Sequence, residues 1–462
     1  MAINQTPYTN AMKRFNSIAI SLLLALIFIA NSVQSQTILD KYIKIGLDSN
    51  LALQRKSFDL EKAQLDLKRA EALFLPQVSF NAQYTLATGG RTESIPVGNL
   101  LNGVYSTLNQ LTNTNTFPQI KNETIQFLPN DFHDTKVELL MPIFNKDLQY
   151  NKAIKTELIN GQKADTKLYK RELVKNIKQA YYKYLQAGKA IKIYQNALLL
   201  VNENLRFSEK LVKNNVATKE IISRAKAQVS QVIASLKEAE NNQKNAAAYF
   251  NFLLNQPLEK PIETDSTVGV LTDFNPQIQV PTNREELTQL NIGKKVLETN
   301  LKLNQAYKLP KLNAFYNVGY QGFGYSFDNK QFYQLGGLQL QWNIFKGNDN
   351  KYKIKQAIAD VAAINNQYTE VEKQLMLQSA TTYNTYKSLL ETLQSLRDEV
   401  ASTKEAYVLI EKKYKEGQAL QIELIDARTQ LTNAEIRLTL AQLAVQTQAA
   451  ELERVNATYP IQ

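Results

Sequence analysis

The stretch AEALFLPQVSFNAQY, residues 70–84, changes period at its centre. It opens with helix formers, is stopped by Leu75-Pro76, and then alternates apolar and polar residues one by one. Val78, Phe80, Ala82, Tyr84 and Leu86 fall on one face of the strand this predicts. Gln77, Ser79, Asn81, Gln83 and Thr85 fall on the other. The same order returns in NQAYKLPKLNAFYNVGY, residues 304–320, where Leu309-Pro310 stands 234 residues beyond Leu75-Pro76. MPIFN (141–145) is echoed by WNIFKG (342–347), with Phe144 and Phe345 separated by 201. NNVATKEIISRAKAQV (214–229) is echoed by EGQALQIELIDARTQL (416–431) at a separation of 202. The chain is therefore a duplication, and its halves differ by about 33 extra residues between Leu75 and Phe144.

Between these echoes lie long seams. Tyr386, Leu389, Leu393, Leu396, Val400, Thr403, Tyr407, Ile410 and Tyr414 recur at alternating spacings of three and four. Moving back 202 residues gives Tyr184, Ala187, Ile191, Tyr194, Leu198, Val201, Leu205, Ser208 and Val212. Leu424, Ala427, Leu431, Ala434, Leu438, Ala441 and Val445 keep the rhythm, as do Ile222, Ala225, Val229, Val232, Leu236 and Ala239. A period of 3.5 is that of a coiled coil. The reading gives helices over about 147–213, 218–253, 348–416 and 421–455, the two longest on the order of 100 Å each. Such rods span a distance; they do not make the core of a compact globule.

Four alternating segments, about 76–87, 134–144, 310–321 and 331–345, have the length of tilted membrane strands. In GLQLQWNI, Leu338, Leu340, Trp342 and Ile344 oppose Gln339, Gln341 and Asn343. Tyr84, Tyr316, Tyr320 and Trp342 are candidate interface aromatics. A soluble sheet with one wet face alternates in the same way. Four strands do not close a barrel, and lipid does not tolerate open edges, so a membrane reading requires an oligomer. The first strand pair encloses a loop of 46 residues, 88–133, carrying Gly89-Gly90, Pro96, Asn-Thr clusters and Pro129; the second encloses about ten. A connector over 255–283 holds Pro257, Pro261, Pro276 and Pro281.

Composition narrows the chemistry. With 16 Gly and 12 Pro in 462 residues, the breakers run at about half their usual frequency. No cysteine and one histidine, His133, leave little room for Cys/His metal sites or for nucleophile–histidine pairs. No phosphate or dinucleotide fingerprint is present. The chain reads as no enzyme, with no catalytic, metal or cofactor site. Lys13 and Arg14 precede the apolar run Ile18 to Ala30, which is followed by Ser32-Val33-Gln34-Ser35, so 1–35 reads as a signal peptide; the start is Met1 or Met12. The net charge of +11 is interspersed along helices, the pattern of a solvated face and not of a nucleic-acid-binding patch.

In this order and over about 37–456, the chain resembles the outer-membrane efflux proteins, the TolC-type exit ducts. That resemblance implies a homotrimer sharing one twelve-stranded barrel in outer-membrane lipid. A helical tunnel extends from it into the periplasm, and loop 88–133 faces outside the cell. It also implies a periplasmic adaptor and an inner-membrane RND or ABC transporter as partners, with small molecules or proteins as cargo. YKEGQALQIELIDA (414–427) then reads as the periplasmic turn. Gly417 supplies the turn, and Glu423 and Asp426, three apart, face one side of the return helix as carboxylate rings of a gate. Such rings attract cations and titrate at raised pKa. Ordinary acids near a helix N-terminus give the same pattern. Tyr414 matches the family's locking tyrosine, but Ala419 stands where the arginine is expected and Ile221 where the first-repeat acid is, beside Glu220. A hydrophobic or different polar closure is therefore expected. Ile221 and Arg224 replace the acid pair in the first repeat. The competing reading is a secreted or periplasmic coiled-coil scaffold without channel activity.

Overall fold

The structure, a computed structural model, describes residues 37–128, 130–264 and 284–461. The leader 1–35 and the stretch 265–283 of the connector lie outside the described residues. The elements run α1 (Ile38–Ser49), α2 (Leu51–Ala72), β1 (Gln77–Thr85), β2 (Thr92–Ile95), α3 (Val97–Thr112), β3 (Glu123–Gln126), β4 (Phe132–Phe144), α4 (Lys146–Lys213) and α5 (Glu220–Leu253). They continue with α6 (Glu285–Gln305), a 3-10 turn (Ala306–Lys308), β5 (Lys311–Phe323), β6 (Phe332–Gln341), α7 (Asp349–Lys415) and α8 (Gln421–Val455). No helix among the described residues is long and apolar enough to cross a membrane. The chain divides into two compact units, which are taken in turn.

The unit formed by Leu60–Gln162 and Leu290–Gln367 holds the sheet. Its four antiparallel strands lie in the order β1-β4-β5-β6, one hairpin from each half of the duplication. The register sorts side chains by character. Phe80 pairs with Val137, Val137 with Val318, Val78 with Leu139 and Ala314 with Leu338, so one face is mostly apolar, with Thr135 and Gln334 among the polar residues on it. Asn81 pairs with Lys136, Ser79 with Glu138, Glu138 with Asn317 and Lys311 with Gln341 on the other, more polar face, which also carries Leu140, Phe315 and Leu335. Val78, Phe80, Leu338 and Leu340 are exposed on the edge strands. β1 pairs only with β4 and β6 only with β5 among the described residues, so both edges are open.

Two expectations are corrected here. The fourth strand ends at Gln341 and does not reach 345. Gln341 pairs with Lys311, the first residue of β5, and Pro310 before it has no amide to extend the ladder. The segment 88–133 is a folded insertion and not a plain loop. β2 pairs with β3, and the 16-residue helix α3 lies between them. Two asparagines of α3 do the fastening. Asn102 clasps both the N–H and the C=O of Ile120 at 2.9 Å, and Asn109 clasps those of Phe117 at 3.0 and 2.7 Å. Each amide side chain thus stands in for a strand partner.

The other unit (Met1–Asp59, Lys163–Gln289, Tyr368–Gln462) is helical among its described residues. Tyr42, Ile43, Ile177, Tyr181, Phe250 and Leu254 form its largest core. Asn50 joins α1 to α2: it accepts from Leu53 N (3.1 Å) and donates to Leu253 O (2.9 Å). The seams read from the sequence pack α7 on α8. Tyr386 and Leu393 meet Ala441, Val445 and Leu452 in one cluster, and Tyr407 meets Leu424 and Ala427 in another. Around the end of α8, Arg284 is 1% exposed, holds the Glu286 carboxylate (2.9 Å from Nε) and donates to Val455 O. Arg454 pairs with Glu451 at 2.6 Å, and Arg171 with Glu285 at 2.8 Å.

Burial pushes the Glu286 and Glu451 carboxyls up, but the hydrogen bonds and charge of Arg284 on the first, and of Arg454 and Lys175 on the second, outweigh it and hold both below the ordinary value of 4.5. A carboxylate depressed on folding stabilises the native state above its unfolded pKa and loses that contribution as pH falls through the folded one. The melting temperature of this unit is therefore expected to be level above pH 5 and to fall with acidification below it. Glu286→Gln with Glu451→Gln should flatten that acid limb, as read by thermal melts across pH 3–7.

Candidate functional site

The turn between α7 and α8 is built by helix capping. Gly417 has φ +75°, its N–H donates to Tyr414 O (3.1 Å), and Gln418 N–H donates to Lys413 O (2.8 Å). This is a Schellman motif. The turn between α4 and α5 repeats it: Asn215 has φ +57° and donates to Val212 O (3.0 Å), and Val216 donates to Leu211 O (2.9 Å). Glycine in one half and asparagine in the other solve the same left-handed position.

Glu423 and Asp426 are exposed on one face of α8, while Leu424 and Ala427 are buried against Tyr407. Glu423 Oε2 accepts from Leu420 N at 3.0 Å, reaching back over the first turn as a helix-start acid does. Asp426 Oδ2 accepts from Gln430 Nε2 at 2.8 Å. Each carboxylate thus has a local helical partner as well as an outward face.

Two contacts join α4 to the turn. The Phe207 ring meets the Tyr414 ring edge-on, 5.4 Å between centres, and Gln421 Nε2 donates to the buried Ser208 Oγ at 2.7 Å. The Tyr414 hydroxyl is buried without a partner, and burial holds the phenol above its ordinary pKa. Glu220 is paired with Arg224 of its own helix at 2.5 Å. The contact across this turn is therefore aromatic and amide–hydroxyl, with no ion pair at Tyr414. Phe207, Ser208 and Gln421 went unnamed as partners in the sequence reading. Only Ser208, on the α4 seam, carried any signal.

The aromatics of the sheet are spread along it. Tyr84 pairs with His133, and Tyr320 with Thr135 and Phe332, near the hairpin ends. Trp342 follows the end of β6, and its Nε1 donates to Lys308 O at 3.1 Å. Tyr316 lies mid-strand, opposite Leu139 and Gly336, where its ring covers the glycine; this is a packing position away from either end.

A long helical hairpin in each half and a sheet made of one strand hairpin from each is the arrangement that the resemblance to the TolC-type family implies. Residues 279–457 match the family model described as outer membrane efflux protein. The outer membrane protein TolC of Salmonella enteritidis is 20% identical over 427 residues, covering 88% of this chain and 79% of that protein. Among solved structures, the Campylobacter jejuni CmeC outer membrane channel superposes with a TM-score of 0.74 at 13% identity, covering 91% of this chain and 85% of that one. The Vibrio cholerae outer membrane protein VceC gives 0.71 at 16%, covering 90% and 96%. At these identities the structural likeness is one of fold.

Proposed function

We propose that the protein is the outer-membrane exit duct of a tripartite efflux pump or type I secretion system. It lies in the outer membrane of a Gram-negative cell and extends into the periplasm. The observation that carries this is the sheet: mostly apolar on one face, more polar on the other, and open at both edges. Within the chain, the second strand of one half (β4) pairs with the first strand of the other (β5). β6 and β1 are the duplicates of those two strands, so β6 of one copy can take β1 of the next in the same antiparallel manner. Such a head-to-tail contact closes a ring if its rotation allows, and only closure removes the edges in lipid. Three copies give the twelve strands that the family resemblance implies. The apolar face then meets lipid, and the polar face, with Asn81, Lys136 and Glu138, lines a wet lumen. A periplasmic adaptor and an RND or ABC transporter complete the assembly and supply the energy.

Mass measurement of detergent-purified protein, followed by planar-bilayer conductance, tests the proposal. A conducting trimer is expected. A monomer soluble without detergent would favour the scaffold reading, and a trimer without conductance would sink the duct.

In the trimer, Glu423 and Asp426 form two carboxylate rings at the turn of α7 and α8. Replacing both by Ala is expected to lower cation selectivity and to weaken block by a trivalent cation by about tenfold or more. Selectivity equal to wild type would mean that the acids serve only as helix-start residues.

A further inference from the structure

Helix α3 of the insertion has two sides with different employment. On one, Gly98 lies against the Ile120 carbonyl, and Asn102 and Asn109 clasp the backbone of Ile120 and Phe117. The Tyr105 ring meets that of Phe117 on the same side, 5.7 Å between centres. On the other side, Val97, Leu101, Val104, Leu108 and Leu111 recur at spacings of four and three, the 3.5-residue period of a coiled coil. Leu101, Val104 and Leu111 are exposed, Leu111 at 78%, and Leu100 lies open beside them. A helix held firmly from behind thus turns an apolar seam outward. Contiguous exposed apolar surface of this kind marks an interaction site.

The residues of the seam say what covers it. A helix that lies on lipid carries Lys and Arg on its polar face and Trp or Phe on the other. Residues 94–120 contain no Asp, Glu, Lys or Arg, and α3 contains no Trp or Phe. A helical partner fits instead. The spacing puts Leu101 and Leu108 at the a positions and the β-branched Val97 and Val104 at d. Leucine at a with a β-branched residue at d shifts coiled coils from two strands towards three or four. The placement agrees. The neck of the insertion is laced together at the end of the β1–β4 hairpin: Ala87 N donates to Asn130 Oδ1 at 2.9 Å, Gln126 Nε2 to Gly89 O at 2.8 Å, and Phe127 N to Arg91 O at 3.0 Å. The insertion therefore departs from β1, the edge strand at which the proposed ring joins copy to copy.

We propose that α3 is an assembly helix whose partners are the α3 helices of the other two copies. The proposal rests on the ring of three described above. The three helices pack about its axis through Leu101, Val104 and Leu108 and draw the outer mouth of the duct together. Rotation about the axis makes the helices equivalent, so they pack in parallel.

The chain has no cysteine, so a single introduced thiol reports a single position. Val104→Cys, on the seam, and Asn99→Cys, on the far side of α3, are purified in detergent and treated with a trifunctional maleimide. Both positions are exposed, so neither substitution disturbs a packed core. Val104→Cys is expected to give a three-chain product on a denaturing gel, and Asn99→Cys about a tenth as much or less. Adding Leu101→Gln and Leu108→Gln to Val104→Cys should cut that product about tenfold or more, with the mass still that of a trimer. A trimer by mass with no three-chain product at Val104→Cys, or with equal product at both positions, would overturn the proposal and leave the duct reading standing. A monomer by mass would overturn both. Lipid as the occupant is tested in vesicles containing brominated lipid. A bimane attached at Val104→Cys is expected to be protected there, and strong quenching would place the seam in lipid and overturn the proposal.

Discussion

Arg284→Ala is expected to destabilise the helical unit by about 3–5 kcal/mol, the range for removing one partner of a buried ion pair. The side chain is 2% exposed and carries two jobs. It holds the Glu286 carboxylate through both Nε and Nη2, and it donates to Val455 O at the end of α8. Truncation leaves a partly buried carboxylate facing only the more distant charge of Arg454 and strips a helix-terminal carbonyl of its donor. Arg284→Met, which keeps most of the volume, should lose nearly as much, because the loss is one of pairing and not of packing. Chemical denaturation followed by helical circular dichroism measures both. A loss below about 1 kcal/mol would mean that water replaces the guanidinium at little cost.

The second large effect is at Gly319, on β5 opposite Lys136. A Cβ placed there would lie 2.7 Å from Lys136 Cα and against the Thr135 carbonyl, backbone that cannot rotate away. β4 and β5 are the strands that join the two halves, so Gly319→Val should part the sheet at its centre. Loss of conductance and of the stable oligomer is expected, with the circular dichroism of the helices retained. Gly347→Ala is a fair control, since nothing lies within 4 Å of its Cβ position; its φ of +56° leaves only the ordinary left-handed penalty.

Much of this fold is legible in the sequence because the duplication writes it twice. The seam Tyr386–Tyr414 and its partner on α8 predict which residues are buried, and Tyr386, Leu393, Ala434 and Val445 are each 2% exposed or less. Prolines 76 and 310 mark where strands begin, since a proline both ends a helix and starts a ladder without an amide. The end of β6 is less legible: alternation persists through Trp342 and Ile344, but pairing stops when β5 runs out at Lys311. The fold of 88–133 escapes for a related reason. Its order rests on Asn102 and Asn109 reaching residues 18 and 8 positions away, while its composition is that of a loop. At the turn, the capping geometry of Gly417 and the outward face of Glu423 and Asp426 follow from local spacing. The Phe207–Tyr414 contact does not, because it joins positions about two hundred residues apart.

The open sheet edges carry a genetic consequence. In the proposed ring every copy offers a β6 edge to one neighbour and a β1 edge to the other, so a copy spoiled at either edge still binds on its sound side. It enters the assembly and halts it. In a cell expressing sound and spoiled copies equally, a ring of three leaves about one assembly in eight intact. Edge substitutions such as a proline in the middle of β1 should therefore be dominant. Substitutions that unfold the chain before it meets a neighbour should be recessive.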